Sequence, residues 1–386
     1  MKKIFGLLLV LVMLFSFTAC NGNDAAETQE STTKTESAAP SLSAEQTTQE
    51  VVEDSIYKAI PFLEKYKEYK YDGEINVLYL VCTTAAEYFP NSYAVWSPMM
   101  EELGIHIELM GPPEYSDASL ISALESALAS QKYDIVVLYP ITPSAITPLL
   151  DDIWSTYHVP ILSYAFSPDT GSGHYYLGTS YYTAGTVLGN SIVDYVDSHA
   201  DYYDTLDTIP VAVYMNPQGA DQYARITGAL DVLKADGRFS VIQEYAANGE
   251  AACLTQTETL LTDHPEVEVI LTQIDNDVTG AYQAVTSGTY PHSEYLSLWG
   301  FDATGAVMSL MDKDGPSGCV QGSSFIDHYQ SGEALCELIP ILVGAAKQGT
   351  LIDFDQEDYE WLGTALSNYY KTVTPEIVSQ YYTPAS

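Results

Sequence analysis

Residues 74–82 read EINVLYLVC, an almost continuous apolar run of strand length, as expected of a strand buried on both faces. Apolar positions then recur at helical spacing in WSPMMEELG, and IHIELM follows as a second strand pattern. ASLISALESALASQ and YDIVVLYP repeat the alternation, as do PSAITPLLDDIWSTY and VPILSYA. A polar, helix-like stretch containing EKYKEYK precedes the first strand. Near Gly178 the rhythm restarts, with AGTVLGNSIVDYV, IPVAVYM, QYARITGALDVLKA, FSVIQEY, QTETLLTDH, VEVILTQ, VTGAYQAV and YLSLWGF alternating between the two periods. Strands alternating with amphipathic helices predict an α/β fold, here two Rossmann-like parallel-sheet lobes. Ligands of such sheets bind beyond the carboxyl ends of the strands, so two facing lobes form a cleft.

The N-terminus departs from this pattern. Lys2 and Lys3 precede the apolar run IFGLLLVLVMLF, and small residues lead to Cys20, which marks residues 1–19 as a secretory signal peptide. FTAC also resembles a bacterial lipobox, in which Cys20 would carry the lipid; a plain secreted protein with an incidental cysteine is the other reading. Residues 20–54, rich in Ser, Thr, Ala and Glu, have little to bury and read as a disordered tether. The first lobe is expected over residues 55–178 and the second over 179–322.

Charge narrows the class of partner. The chain carries 52 acidic residues against 14 lysines and arginines, a formal net charge of −38, and loss of Lys2 and Lys3 would deepen it. Such a surface repels nucleic acid and anionic lipid, so membrane location would require a covalent anchor. Cys82, Cys253, Cys319 and Cys336 are widely spaced and read as buried free thiols, with Cys319 and Cys336 the nearest pair for a disulfide. No zinc-ligand spacing, G-x-S-x-G elbow, H-E-x-x-H helix or phosphate loop occurs, and no cofactor or metal is expected.

The order of several segments resembles the type I periplasmic sugar-binding proteins of ABC importers, related to the ligand-binding domains of LacI-type repressors. YDIVVLYPITPSAITPLLDDIWSTYHVPILSYA resembles the family's strand, Pro-containing turn, helix and strand; YLGTSYYTAGTVLGNSIVDYV resembles its crossing to the second lobe. QYARITGAL is similar to the R-x-x-G helix start, VEVILTQIDNDVTGAYQAV to the segment carrying Asn-Asp, and LSLWGFDATGAV to the Gly-Phe-Asp turn. Together they span about residues 74–345, and the resemblance implies that the two lobes are joined by a hinge, that about 323–349 return to the first lobe and that 350–386 form a C-terminal extension past the family's usual end.

The resemblance implies that Arg225, one of two arginines in the chain, donates its planar fork to sugar hydroxyls while Asp302 accepts from them. The bland reading is that Arg225 pairs with a neighbouring acid and holds a lobe together, whereas Arg238 looks like a turn residue. The resemblance further implies ligand contacts from Asp275 and Asn276, with Ile274 on the family's Asn in an ungapped alignment, and from Gln321 near the hinge. In the first lobe it points to Tyr88 and Phe89, with Trp96 either a stacking surface or core. Ala165 and Phe166 stand where charged residues are common, and Tyr139 replaces a common asparagine; with Tyr164 these make the expected site unusually aromatic. The implied function is that of an extracytoplasmic, lipid-anchored, monomeric substrate-binding protein for an ABC permease rather than an enzyme. Its ligand would be a sugar, a glycoside, a nucleoside or another ring-bearing solute, captured by hinge closure. A sensor presenting such a ligand to a membrane signalling partner is the alternative.

Overall fold

The computed structural model describes residues 56–165, 173–215, 220–246 and 249–383. The signal peptide, the tether and Cys20 lie outside them, as does Phe166. A 3-10 helix over Pro61–Tyr69 leads into the first lobe, where EKYKEYK had suggested a helix. That lobe contains β1 (Ile75–Leu80), α1 (Tyr88–Glu101), β2 (Ile105–Met110), α2 (Asp117–Ala129), β3 (Ile135–Leu138), α3 (Pro143–Tyr157), β4 (Ile161–Ala165) and β5 (His174–Gly178). Its five strands are parallel, in the order β2-β1-β3-β4-β5. β3 and β4 are buried at every residue and are apolar throughout except for Ser163, because helices cover both faces of the sheet.

The second lobe follows with α4 (Tyr181–Ser198), α5 (Ala200–Tyr203), β6 (Ile209–Met215), α6 (Ala220–Asp236), β7 (Phe239–Ala246), α7 (Glu250–Asp263), β8 (Val269–Thr272), α8 (Asp275–Thr286), β9 (Ser297–Phe301), α9 (Gly305–Asp314) and β10 (Val320–Ile326). The chain then runs through α10 (His328–Lys347), α11 (Gln356–Thr364) and β11 (Tyr370–Val373). The second sheet has the order β11-β10-β9-β8-β6-β7, parallel except for β11, which pairs antiparallel with β10. The two sheets are the parallel α/β layers expected from the sequence.

Three strands of chain link the lobes. The first passage lies between Gly178 and Tyr181. The second follows Ile326, slightly beyond the expected residue 323, and carries α10 back against α1. The third runs from α11, which packs on β5, into β11 of the second sheet, so the C-terminal extension completes the hinge. The three are tied to one another: Ser180 N donates to Ser367 Oγ at 2.7 Å, Asp327 N to Tyr369 O at 2.8 Å, and Lys371 pairs with Asp327. Hydroxyl and carboxylate caps start several helices at these joints, including Ser180 on α4 and Asp327 on α10. Among the described residues the four cysteines are free thiols, and no helix is long and apolar enough to cross a membrane.

Candidate functional site

The carboxyl ends of the two sheets face one cavity of about 490 Å³. Thr83 enters it from the end of β1, Tyr139 from β3, Ala165 from β4, Ile274 from β8, Asp302 from β9 and Ser324 from β10. Two contacts cross between lobes here: the hydroxyls of Tyr139 and Tyr181 lie 3.4 Å apart, and Gly305 N donates to Glu87 Oε2 at 3.0 Å.

Arg225 stands on α6 and is held in place by how that helix meets α4. A Cβ on Gly185 of α4 would lie 1.9 Å from Arg225 O, and one on Gly228 of α6 would lie 2.1 Å from Tyr182 O. Only glycines permit this backbone approach, which accounts for the glycine three residues after the arginine. The approach lays the guanidinium against the Tyr181 ring at 4.7 Å and the Phe301 ring at 5.3 Å. Nη1 donates to Asp302 Oδ1 at 2.9 Å, whereas the buried Nε has no hydrogen-bond partner within the protein. Burial opposes the charge on Arg225, but Asp302 and the surrounding tyrosines outweigh it, and the guanidinium is held above its ordinary pKa.

Asp302 is held as firmly. Its φ is +100° and that of Ala303 is +45°, conformations that non-glycine residues rarely adopt and that cost about 1–3 kcal/mol each. Three successive amides fix the turn: Asp302 N donates to Ser324 O at 2.9 Å, Ala303 N to Ser323 Oγ at 2.9 Å, and Thr304 N to Asp275 Oδ2 at 2.7 Å. Ser323 also donates to Asp275 Oδ1 at 2.7 Å. Ala165, across the cavity, has φ +66°. Backbone strain of this kind concentrates where a site demands it.

The sequence candidates separate in space. Arg225, Asp302, Tyr88, Phe89, Tyr139, Asp275 and Asn276 all border the cavity. Asp275 is 1% exposed and both its oxygens are engaged by the protein, so it supports the Asp302 turn more than it faces a ligand. Burial, then the nearby Asp302 charge, raises its pKa to about 8. Asn276 is exposed, and Ile274 also lines the wall. Asp277 turns aside to accept from Gly249 N at 3.0 Å. Phe89 is 3% exposed and packs edge-on against Tyr139 at 4.8 Å, presenting little of its ring.

Gln321 does not border the cavity. It lies at the amino end of β10, the far end of a parallel strand from the cleft, and its amide donates to Pro316 O and Gly318 O. Trp96 is fully buried, with its indole N–H on His328 O at 2.8 Å, and Tyr164 is buried behind Tyr88, so both are core. Sequence reasoning missed Tyr181, Tyr370 and Phe325, which line the wall around Arg225 and Asp302. Tyr181 sat inside a quoted motif and Tyr370 in the unassigned tail. Burial raises the pKa of both hydroxyls, against the pull of Arg225, so they are neutral donors and acceptors.

The cavity is thus a polar fork, Arg225 with Asp302, set among aromatic walls. Such a site can grip hydroxyls at one edge of a ring and cover its faces. Among the described residues no cluster of His, Cys, Asp or Glu could hold a metal ion.

A periplasmic binding protein domain matches residues 77–344. No curated protein matches the chain. Among solved structures, an arabinose binding protein from Geobacillus stearothermophilus is 17% identical, covering 80% of this chain and 100% of its own, with TM-score 0.63. A sugar-binding protein of a sugar ABC transporter from Bacillus halodurans is 19% identical over 80% of this chain and 100% of its own, with TM-score 0.65. A Caulobacter myo-inositol binding protein, bound to myo-inositol, is 19% identical over 79% of this chain and 95% of its own, with TM-score 0.56. The chain shares their fold, and with a match across the body of both lobes it belongs to the periplasmic binding protein domain family.

Proposed function

We propose that this protein is the extracytoplasmic, lipid-anchored substrate-binding component of an ABC importer, capturing a sugar or sugar-like ligand between its lobes. The observation that carries the reading is the pairing of Arg225 with Asp302 in the wall of the cleft cavity. A guanidinium and a carboxylate side by side offer fixed donors and acceptors that ring hydroxyls can meet. Neighbours of the same fold that bind arabinose, D-allose and myo-inositol support a polyhydroxylated ligand.

In this mechanism ligand enters the open cleft and is met by Arg225 and Asp302 from one lobe and by Tyr88 and Tyr139 from the other. Contacts from both sides favour closure, by no more than the ligand's greater affinity for the closed state. The closed form then docks on the permease. Cys20 would hold the protein at the membrane through a lipid, with residues 21–54 as a leash.

The test is thermal unfolding of the purified protein against monosaccharides, disaccharides, glycosides, nucleosides, amino acids and polyamines. A ligand at a hundred times its dissociation constant adds about 2.7 kcal/mol of stability. Stabilisation by a polyhydroxylated class is expected; stabilisation only by amino acids or polyamines would overturn the assignment. For the anchor, Cys20→Ser should abolish membrane retention of the processed form, read by fractionation. Retention of processed protein would count against lipidation.

A further inference from the structure

The ligand cavity has a neighbour. A second chamber of about 790 Å³ lies between the lobes and shares Ala85, Glu87 and Phe325 with the first. It is walled by Asn91 of α1, Met308 of α9, His328 and Tyr329 at the second hinge passage, and Tyr381 and Tyr382 of the C-terminal tail. Tyr381 meets the Phe325 ring edge-on at 5.2 Å, so tail and partition form one aromatic surface. At the junction the Glu87 carboxylate reaches from the first lobe to Gly305 N in the second. The volumes of both chambers lie within the ~300–1,000 Å³ of ordinary small-ligand sites.

Chemistry limits what fits there. Among the described residues no lysine or arginine lines the second chamber, while Glu87 and Asp327 do. Asp327 is matched by Lys371, but Glu87 bonds to the Gly305 amide and to no cation among the described residues, so a phosphate or carboxylate passing it would still meet like charge. Aromatic rings, the Met308 thioether and the side-chain amides of Asn91 and Gln380 suit an uncharged ring with a few polar substituents.

We propose that the ligand is a glycoside: its sugar ring lies against Arg225 and Asp302, and an uncharged second ring on its anomeric carbon passes Glu87 into this chamber. The proposal rests on the sugar-binding reading above and sharpens it, because a single sugar ring would leave the second chamber unused. Continuity through Ala85, Glu87 and Phe325 carries it, together with the tail, which lies beyond the matched residues 77–344 and supplies two tyrosines to the outer wall.

Isothermal titration of the purified full-length protein tests this with matched sets: glucose, galactose, arabinose, ribose and xylose, each beside its 4-nitrophenyl glycoside, with cellobiose, lactose, adenosine and the sugar phosphates as further arms. At least one ringed derivative should bind ten times more tightly than its parent sugar, and the phosphates should gain nothing. Tyr329→Ala, at a position 58% exposed and so safe for folding, and Tyr381→Ala should each erode that advantage while leaving the parent sugar's affinity unchanged. The arms tell an aryl group, a second sugar and a nucleobase apart. Parent sugars binding as tightly as every derivative would overturn the second chamber while sparing the sugar reading. A full advantage retained in both tyrosine variants would do the same. No binding by any sugar or derivative would overturn both.

Discussion

The two arginines of this chain sit about as differently as two guanidiniums can. Arg238 lies in the turn before β7, with its side chain 34% exposed, and its Nε and Nη2 are taken by Asp236 and Asp197 at 2.7–2.8 Å. Arg225 is 9% exposed, stacked on Tyr181 and Phe301, bonded to Asp302 through Nη1 and unpartnered at Nε. Around Arg238 the hydrogen bond it gives lowers the pKa of Asp236, as for an ordinary hydrated pair. Around Arg225 burial raises the pKa of Asp275 to about 8. Pairing with an acid therefore does not mark a site, since both arginines have it. What separates them is burial combined with unspent hydrogen-bonding capacity.

The largest effect should come from the scaffold that aims Arg225. Gly185→Ala places a methyl 1.9 Å from Arg225 O, where backbone must move. A loss of about 1–3 kcal/mol in urea unfolding is expected, accompanied by weaker ligand binding. Beside Arg238, Gly237 has φ +86° but open space around its Cβ, so Gly237→Ala should affect folding through strain alone and leave binding intact. Equal loss of binding in the two variants would erase the contrast. Next is Arg225→Ala, which should weaken the best ligand at least tenfold, about 1.4 kcal/mol, in a protein that still folds by circular dichroism. Normal titration of that variant would return Arg225 to a purely structural role.

How much of this was legible in the sequence depends on whether hydrophobicity alone did the folding. β1 and β3 are apolar runs and β2 alternates apolar with polar residues, and all three lie where their patterns put them. β10 escaped notice because VQGSSFI is buried at all seven residues yet half polar; Ser323 and Ser324 are accommodated by Asp275 and Ala184 O, partners from distant segments. β5, rich in tyrosine and histidine, and β11 in the tail were missed for similar reasons. At the site, Arg225 and Asp302 could be anticipated from motif resemblance, since a short helix start and a turn carry them. Tyr370 could not, because nothing local says that a strand from the tail returns beside α4. Gln321 was misplaced because strand direction, not proximity in sequence, decides which end meets the cleft.

The Asp275 carboxyl offers a finer test of the same contrast. Its folded pKa is raised from an ordinary aspartate value to about 8, so the native state holds a proton that the unfolded chain releases above about pH 4. Between those values the native state binds more protons, and this group's contribution to stability falls as pH rises. Asp275→Asn keeps an acceptor for Thr304 N and can donate to Ser323, but does not titrate. Urea unfolding from pH 5 to 8 should therefore show the wild type losing at least about 1 kcal/mol relative to the variant. Parallel pH profiles would mean that Asp275 is ionised in the folded protein, with the Arg225 region as hydrated as that of Arg238.

The smallest effect belongs to Arg238 itself. Arg238→Ala removes a fork shared by two carboxylates, but Asp197 is 57% exposed and water can replace the guanidinium there. Asp236, at 15%, is the more sheltered partner and keeps some demand for a cation, so the change in stability should be small but not zero, within about 0.5 kcal/mol. Ligand affinity should not move, because this turn meets the cavity only across the lengths of two helices, α6 and, through Asp197, α4. If affinity did fall, the effect would have to travel along α6 to Arg225 or along α4 to Tyr181. Repeating the titration in the Arg225→Ala background would then decide the route: a penalty that disappears there belongs to the positioning of Arg225, whereas one that persists acts on the ligand through some other part of the second lobe.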